Sequence, residues 1–164
     1  VFDNDGTLWS EQPLYFPFQF CVDQLRGLKA VPPAWRRQEP YASALRGDRQ
    51  ALLAQGSAAL GTLLQACASG MDTESYAASV RRWLATARHP ITGLPYTAMV
   101  FQPMLELLRY LRSAGFRTYL VSGGESEFMR AWTAAVYGVP PEQVIGSRMA
   151  LVWQQQPEIG RAHV

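Results

Sequence analysis

The stretch Val1-Phe2-Asp3-Asn4-Asp5-Gly6-Thr7 decides how the rest of the chain is read. An apolar start runs straight into two carboxylates spaced i, i+2, followed by a glycine and a threonine. As a strand ending in a loop, it sets Asp3 at the strand's carboxyl edge. Asp5 lies two residues on, where the backbone can turn both carboxylates toward one point. Gly6 permits backbone angles that other residues avoid, and Thr7 offers a hydroxyl at the next helix start. Close carboxylates repel unless a cation or a shared proton lies between them, so the spacing suggests a divalent metal. Oxygen-only ligands suit Mg²⁺. Two plainer accounts compete: Asn-Asp-Gly is a common turn, and acidic residues at a strand end are often only solvated. A calcium loop is excluded. Aligning Gly6 with that loop's glycine puts Val1 at the first ligand position and Gln12 where a bidentate glutamate is needed.

Composition narrows the class. The 164 residues suffice for one domain, or for a core with an inserted subdomain. Apolar content of 48% and charged content of 17% describe an ordinary globular chain. A net charge of +2, with no basic cluster interleaved with aromatics, argues against a nucleic-acid partner. No run approaches the roughly 18–20 apolar residues of a membrane span. Cys21 and Cys67 are too few and too far apart for a metal knuckle, and both fall in apolar helical segments. They read as small buried hydrophobes rather than as a disulfide. Residue 1 already lies inside a strand, so the chain is expected to be a fragment whose leader, if any, is not seen.

Along the chain, Phe18, Cys21, Val22, Leu25 and Leu28 recur at helical spacing and predict a helix over about 17–29, which Pro32-Pro33 ends. Residues 33–47 read as a connection. Asp48 is a good N-cap for a helix running to Gly70, and Asp72 for another that stops at His89-Pro90. Residues 13–90 thus carry a helical pattern without a strand signal. Pro103 then opens a helix closed by Gly115. Phe116 to Val121 is a β-rich run, Glu125 and Glu127 sit in the first turn of a helix ending before Gly138, and Val144 to Ser147 is a third strand. Strand, helix, strand, helix, strand is the doubly wound α/β pattern, whose ligands bind at the carboxyl ends of the strands. Asp3 and Ser122 would then face one crevice, with the helical block between them in sequence as its roof. Trp83 and Trp132 read as core.

Val121-Ser122-Gly123-Gly124 is the second informative stretch. Amides without side chains at a strand-to-helix junction suit an oxyanion such as phosphate, and the Ser122 hydroxyl adds a donor. A lone Ser-Gly-Gly is also an ordinary turn, but here it is paired with Asp-x-Asp-Gly-Thr at another strand end.

Together these stretches resemble the haloacid dehalogenase (HAD) superfamily. Asp3-Asn4-Asp5-Gly6-Thr7 is similar to its motif I and Leu120-Val121-Ser122-Gly123-Gly124 to its motif II, in the phosphoserine-phosphatase-like branch. The resemblance covers the chain to about residue 150. It implies a Rossmann-like parallel sheet with an inserted helical, C1-type cap. Residues 1–12 and 91–158 would be the incomplete core and 13–90 the cap. The implied function is a Mg²⁺-dependent phosphomonoester hydrolase working through an aspartyl-phosphate on a small organic phosphate. Asp3 would be the nucleophile and Asp5 the general acid and base, with Mg²⁺ on the Asp3 carboxylate and the Asp5 backbone carbonyl. Thr7, Ser122, Gly123 and Gly124 would hold the phosphate. Dehalogenases of the superfamily lack the second aspartate, so Asp5 points to phosphate rather than a carbon–halogen bond. In phosphoserine phosphatases an acidic residue near Glu11 or Gln12 receives the substrate ammonium, which makes these two specificity candidates. Trp9, Tyr15 and Phe16 are near enough to reach the crevice but read sooner as cap core. A phosphotransferase, or an inactive HAD-like binding protein, are the alternatives.

The departures bear on activity. The family's motif III cation has no match, since the only lysine is Lys29 in the expected cap, and nothing in the sequence around Arg148 commends it as a substitute. No aspartate follows Asp72, and beyond Gly146 the only acidic residue is Glu158, so the acidic motif IV pair is missing. The chain as it stands is expected to turn over little and, with unpaired sheet edges, to be poorly soluble. Ile159-Gly160-Arg161-Ala162-His163-Val164 is what one reading frame of a common sequencing-adapter oligonucleotide would encode, so 159–164 is expected to be a non-native tail and His163 to have no role. His89 reads as a partner of a helix C-terminus. Compartment stays open, the resemblance leaning to the bacterial periplasm and otherwise to the cytoplasm. Oligomeric state is equally open.

Overall fold

Phe2 joins the opening motif to the sheet. Its amide donates to the Tyr119 carbonyl and its carbonyl accepts from the Val121 amide, each at 2.8 Å, a parallel bridge to Leu120. The computed structural model describes residues 1–10, 12–155 and 160–163. On its other side β1 (Leu120–Glu125) pairs in parallel with β2 (Val144–Ser147), with a bulge between Val121 and Glu125. The order is therefore opening segment, β1, β2, all parallel, as the alternation of strands and helices predicts. A separate antiparallel pair, β3 (Val152–Gln155) and β4 (Gly160–His163), follows. β4 takes in four of the six residues expected to be a non-native tail. Ile159 and Val164 lie outside the described residues.

Five helices fill the block after the opening motif: α1 (Phe16–Arg26), α2 (Tyr41–Arg46), α3 (Arg49–Ala54), α4 (Gly56–Ala68) and α5 (Thr73–Thr86). The single helix expected from Asp48 to Gly70 is divided. Gly56 adopts φ +79°, a left-handed conformation that breaks the helical run and redirects the chain. Both predicted caps form, with the Asp48 carboxylate accepting from Ala51 N and the Asp72 carboxylate from Ser75 N. Residues 33–47 are more ordered than a connection: Trp35 stacks on Tyr41 at 4.4 Å, and Gly47 closes α2 at φ +72°.

After the block, α6 (Gln102–Ser113) leads to β1, and α7 (Ser126–Arg130) and α8 (Thr133–Tyr137) lead to β2. Here the boundaries move. The strand predicted over 116–121 begins at Leu120 and absorbs Ser122, Gly123 and Gly124, because its partners Phe2 and Val144 are set further along the chain. The helix after it is two short ones, split at Trp132, whose φ of −141° is not helical.

One buried cluster spans the parallel sheet and the helical block. Trp9, Phe16, Phe20, Tyr76, Trp83, Tyr96, Phe128, Trp132 and Tyr137 all belong to it. Trp83 and Trp132 are core, as the spacing predicts. A smaller cluster of Val22, Leu25, Ala44, Leu52 and Leu63 holds the helices to one another. Among the described residues, no helix is long and apolar enough to cross a membrane.

Candidate functional site

The loop after Phe2 is closed by its own backbone. The Asn4 carbonyl accepts from the amides of Thr7, Leu8 and Trp9, and the Gly6 amide donates to the Trp9 carbonyl at 2.7 Å. Gly6 stands at φ +76°, which an L residue would reach only with strain. Trp9 pins the far end of the loop: it is fully buried, its indole N–H donates to the Tyr96 carbonyl at 2.8 Å, and Phe16 and Trp132 meet it edge-on. A turn so held projects Asp3 and Asp5 in fixed directions.

Asn4, only 1% exposed, ties the acidic pair to the interior. Its amide N–H donates to Asp3 Oδ1 at 2.8 Å, its side-chain Nδ2 to Asp5 Oδ1 at 3.3 Å, and its Oδ1 accepts from the Tyr137 hydroxyl at 3.0 Å. Burial, and secondarily the Asp5 charge, push the Tyr137 phenol well above its ordinary value. Tyr137 therefore stays a neutral donor.

At the neighbouring strand end, the Ser122 hydroxyl accepts from the Gly124 amide at 3.1 Å, and the Gly123 carbonyl accepts from the Ser147 hydroxyl at 2.8 Å. A Cβ on Gly124 would stand 3.1 Å from Asp5 Oδ2 and 3.5 Å from Ser122 Oγ. Glycine is thus what lets the two strand ends meet. Gly146 performs a similar service on β2, where a Cβ would stand 2.5 Å from the Gly124 carbonyl oxygen.

The start of α7 differs from the expected anion cradle. Glu125 caps it with its own carboxylate, accepting from the Glu127 amide at 2.8 Å and the Phe128 amide at 2.7 Å, and also from the Tyr76 hydroxyl at 3.2 Å. Burial raises the Glu125 carboxyl above the usual range, against the pull of its two amide donors. The sequence shows Glu125 as first-turn acidity, but nothing in it signals that Tyr76, on α5, reaches across to it.

A cavity of about 780 Å³ opens where these pieces meet. Asp3, Asp5, Ser122, Gly123, Gly124 and Glu125 line its strand-end side, and Arg148, just past β2, lines it as well. Thr7 and Gln12 are not in that lining. Thr7 stays in the backbone turn, and Gln12 is exposed with its carbonyl 2.6 Å from His89 Nε2. Glu11 lies outside the described residues. His89 Nδ1 accepts from the Thr92 amide, so Nε2 carries the proton given to Gln12. This histidine bolts the loop after the acidic motif to the end of the helical block, and since α5 stops at Thr86 it is no helix-terminus partner. Cys21 and Cys67 are both buried and free, and burial, with Cys67 alongside, pushes the Cys21 thiol up.

For a metal, the donor chemistry is that of a hard cation: Asp3 offers a carboxylate and Asp5 a backbone carbonyl, and both residues line the one cavity. Among the described residues no group of three or more His, Cys, Asp or Glu could hold a metal ion. Mg²⁺ is commonly held by one or two carboxylates with water and substrate phosphate completing its shell, so two aspartates fit it.

Comparison with known families gives a match over residues 1–156 to the haloacid dehalogenase-like hydrolase model. Among solved structures, the chain is similar to a phosphoserine phosphohydrolase-like protein from Francisella tularensis subsp. tularensis SCHU S4, at 17% identity and a TM-score of 0.47, covering 93% of this chain and 58% of that one. The chain thus spans a little over half the length of that structure. Comparison with curated proteins gave no match.

Proposed function

The chain belongs to the haloacid dehalogenase-like hydrolases, and from that membership we propose that it is a Mg²⁺-dependent phosphomonoesterase acting through Asp3 on a small organic phosphate. The helical block 13–90 serves as the cap over a core of 1–12 and 91–158. What supports the reading above all is that Asp3, Asp5 and Ser122 line one cavity although the last is far from the others in sequence. In the proposed reaction a carboxylate oxygen of Asp3 attacks phosphorus as the ester P–O bond breaks. Asp5 gives its proton to the departing alkoxide, then takes one from the water that attacks the aspartyl-phosphate, which frees phosphate and restores Asp3. Ser122 and Gly123 hold phosphoryl oxygens. Mg²⁺, held by the Asp3 carboxylate and the Asp5 backbone carbonyl, would offset charge on those oxygens and leave the Asp5 carboxyl to move the proton. Arg148 lines the cavity as well and, among its described lining residues, is the cation offered to the same charge.

The test is release of inorganic phosphate from p-nitrophenyl phosphate with and without Mg²⁺, beside the Asp3→Asn variant. Mg²⁺-dependent release lost in the variant supports the enzyme. The second reading is a binding protein with this fold and crevice, since the sequence has no match to the family's motif III cation or motif IV acidic pair. Phosphate binding without turnover under any divalent cation would select it.

A further inference from the structure

The aromatic residues after the acidic motif divide into two sets. Phe16 and Phe20 are buried in the shared core, whereas Tyr15, 44% exposed, and Phe18 line the cavity. They lie i, i+3 at the start of α1 and meet edge to face, centroids 6.2 Å apart. Beside them, α4, which packs against α1, presents Ser57, Gly61, Leu64 and Gln65 to the same cavity, a spacing that keeps one helix face toward it. Gly61 has ordinary helical backbone and a Cβ built on it would meet nothing within 4 Å, so the missing side chain is open cavity space.

Charge is distributed unevenly around this space. Asp3, Asp5, Glu125 and Arg148 are the ionisable lining residues of the strand ends, while the described α1 and α4 residues contribute rings, Leu64 and neutral polar groups. A volume of about 780 Å³ falls in the range that holds a drug-sized ligand, well beyond a phosphate with a three-carbon appendage. An ammonium–carboxylate zwitterion set against this wall would lose hydration without a partner of opposite charge among the described residues of α1 and α4.

Resting on the phosphatase reading above, we infer that the α1–α4 wall is a leaving-group subsite for an uncharged, ring-bearing alcohol, so that the substrate is an aryl-type phosphomonoester rather than an amino-acid phosphate. Tyr15, Phe18 and Leu64 contact the ring, Ser57 and Gln65 are placed for hydroxyl substituents, and the vacancy at Gly61 sets the ring's depth.

Ligand-observed NMR titrations of the chain with phenyl phosphate, phosphoserine, phosphocholine and inorganic phosphate test this without requiring turnover. Phenyl phosphate is expected to bind about tenfold or more tighter than phosphoserine or phosphocholine, a discrimination of the size one well-filled apolar pocket supplies. Gly61→Leu should weaken phenyl phosphate by about tenfold and leave inorganic phosphate within about twofold, because leucine occupies the ring's place and not the phosphate's. Tyr15→Ala, at a half-exposed position, should act in the same direction with an unchanged melting temperature. Equal or tighter binding of phosphoserine overturns the inference, as does tighter phosphocholine, which would make the ring pair a cation–π site. Unchanged phenyl phosphate affinity in Gly61→Leu overturns it too. Release of phosphate from the same esters, measured at high protein concentration because turnover is expected to be small, is scored separately: no hydrolysis above background sinks the phosphatase reading while the affinity ranking still decides the subsite.

Discussion

Two strand-end turns build this crevice, and they are held by different means. The turn after Phe2 closes on itself: one carbonyl, that of Asn4, takes three amides within five residues, and a buried tryptophan fixes the exit. The turn after Gly124 is closed from outside. The carboxylate of Glu125 caps α7 and is steadied by the hydroxyl of Tyr76, 49 residues earlier in the chain. On the proposed function, the first turn, closed mainly by its own backbone, carries the reactive groups, and the second, steadied across the fold by Tyr76, receives the phosphate. Substitutions in the first should therefore act on chemistry, and those around the second on the coupling of cap to core.

The largest expected effect is that of Asp3→Asn. If the first turn carries the nucleophile, the small Mg²⁺-dependent phosphate release expected of the chain falls to background, with the melting temperature little changed because Asp3 is exposed. Residual activity within tenfold of wild type would end the division of labour drawn here. Ser122→Ala tests the other turn. It removes one donor from the oxyanion side and should cost about a hundredfold in kcat/KM, together with the bond that now orders the Gly124 amide. An effect equal to that of Asp3→Asn would mean that the second turn does more than receive.

How much of this was legible in the sequence follows the same line. The acidic turn could be read residue by residue, since Asp3, Asp5 and Gly6 owe their arrangement to neighbours within a few positions. So could the N-caps at Asp48 and Asp72, and the strand at Val144–Ser147. What could not be read depends on distant partners. The end of β1 moved from Val121 to Glu125 because strand length is set by what lies alongside, here Phe2 and β2. The division of Tyr15 and Phe18 from Phe16 and Phe20 needed the position of α4, and Arg148 entered the cavity only once β2 had been laid against β1. His89 needed the Gln12 carbonyl to give it a purpose.

Stability sharpens the comparison further. Asn4→Ala removes the acceptor of the buried Tyr137 hydroxyl and the amide that touches Asp5, and should destabilise the fold by about 2 kcal/mol in urea titrations. Because the backbone closure at Asn4 does not use its side chain, the loop itself should survive, and Asp3-dependent hydrolysis should fall less than in Ser122→Ala.

The smallest effect is also the most specific. Burial raises the folded-state pKa of Glu125 above its unfolded value, so the folded protein holds that proton more firmly than the unfolded chain. The sign follows: stability from this group is greatest below the ordinary carboxylate pKa and declines as pH rises through the interval up to the raised value, by at most about 1.4 kcal/mol per pH unit. Glu125→Gln should flatten that decline in urea-unfolding midpoints. Tyr76→Phe should do something different. The tyrosine hydroxyl stabilises the ionised carboxylate, so its loss raises the Glu125 pKa further and extends the decline to higher pH, while costing about 1 kcal/mol once Glu125 is ionised. In the double variant the Tyr76→Phe effect on the pH profile should vanish, since no titrating group remains for the hydroxyl to act upon. A pH profile unmoved by Tyr76→Phe in the wild-type background would show that the second turn is held by the Glu125 cap alone, without help from α5.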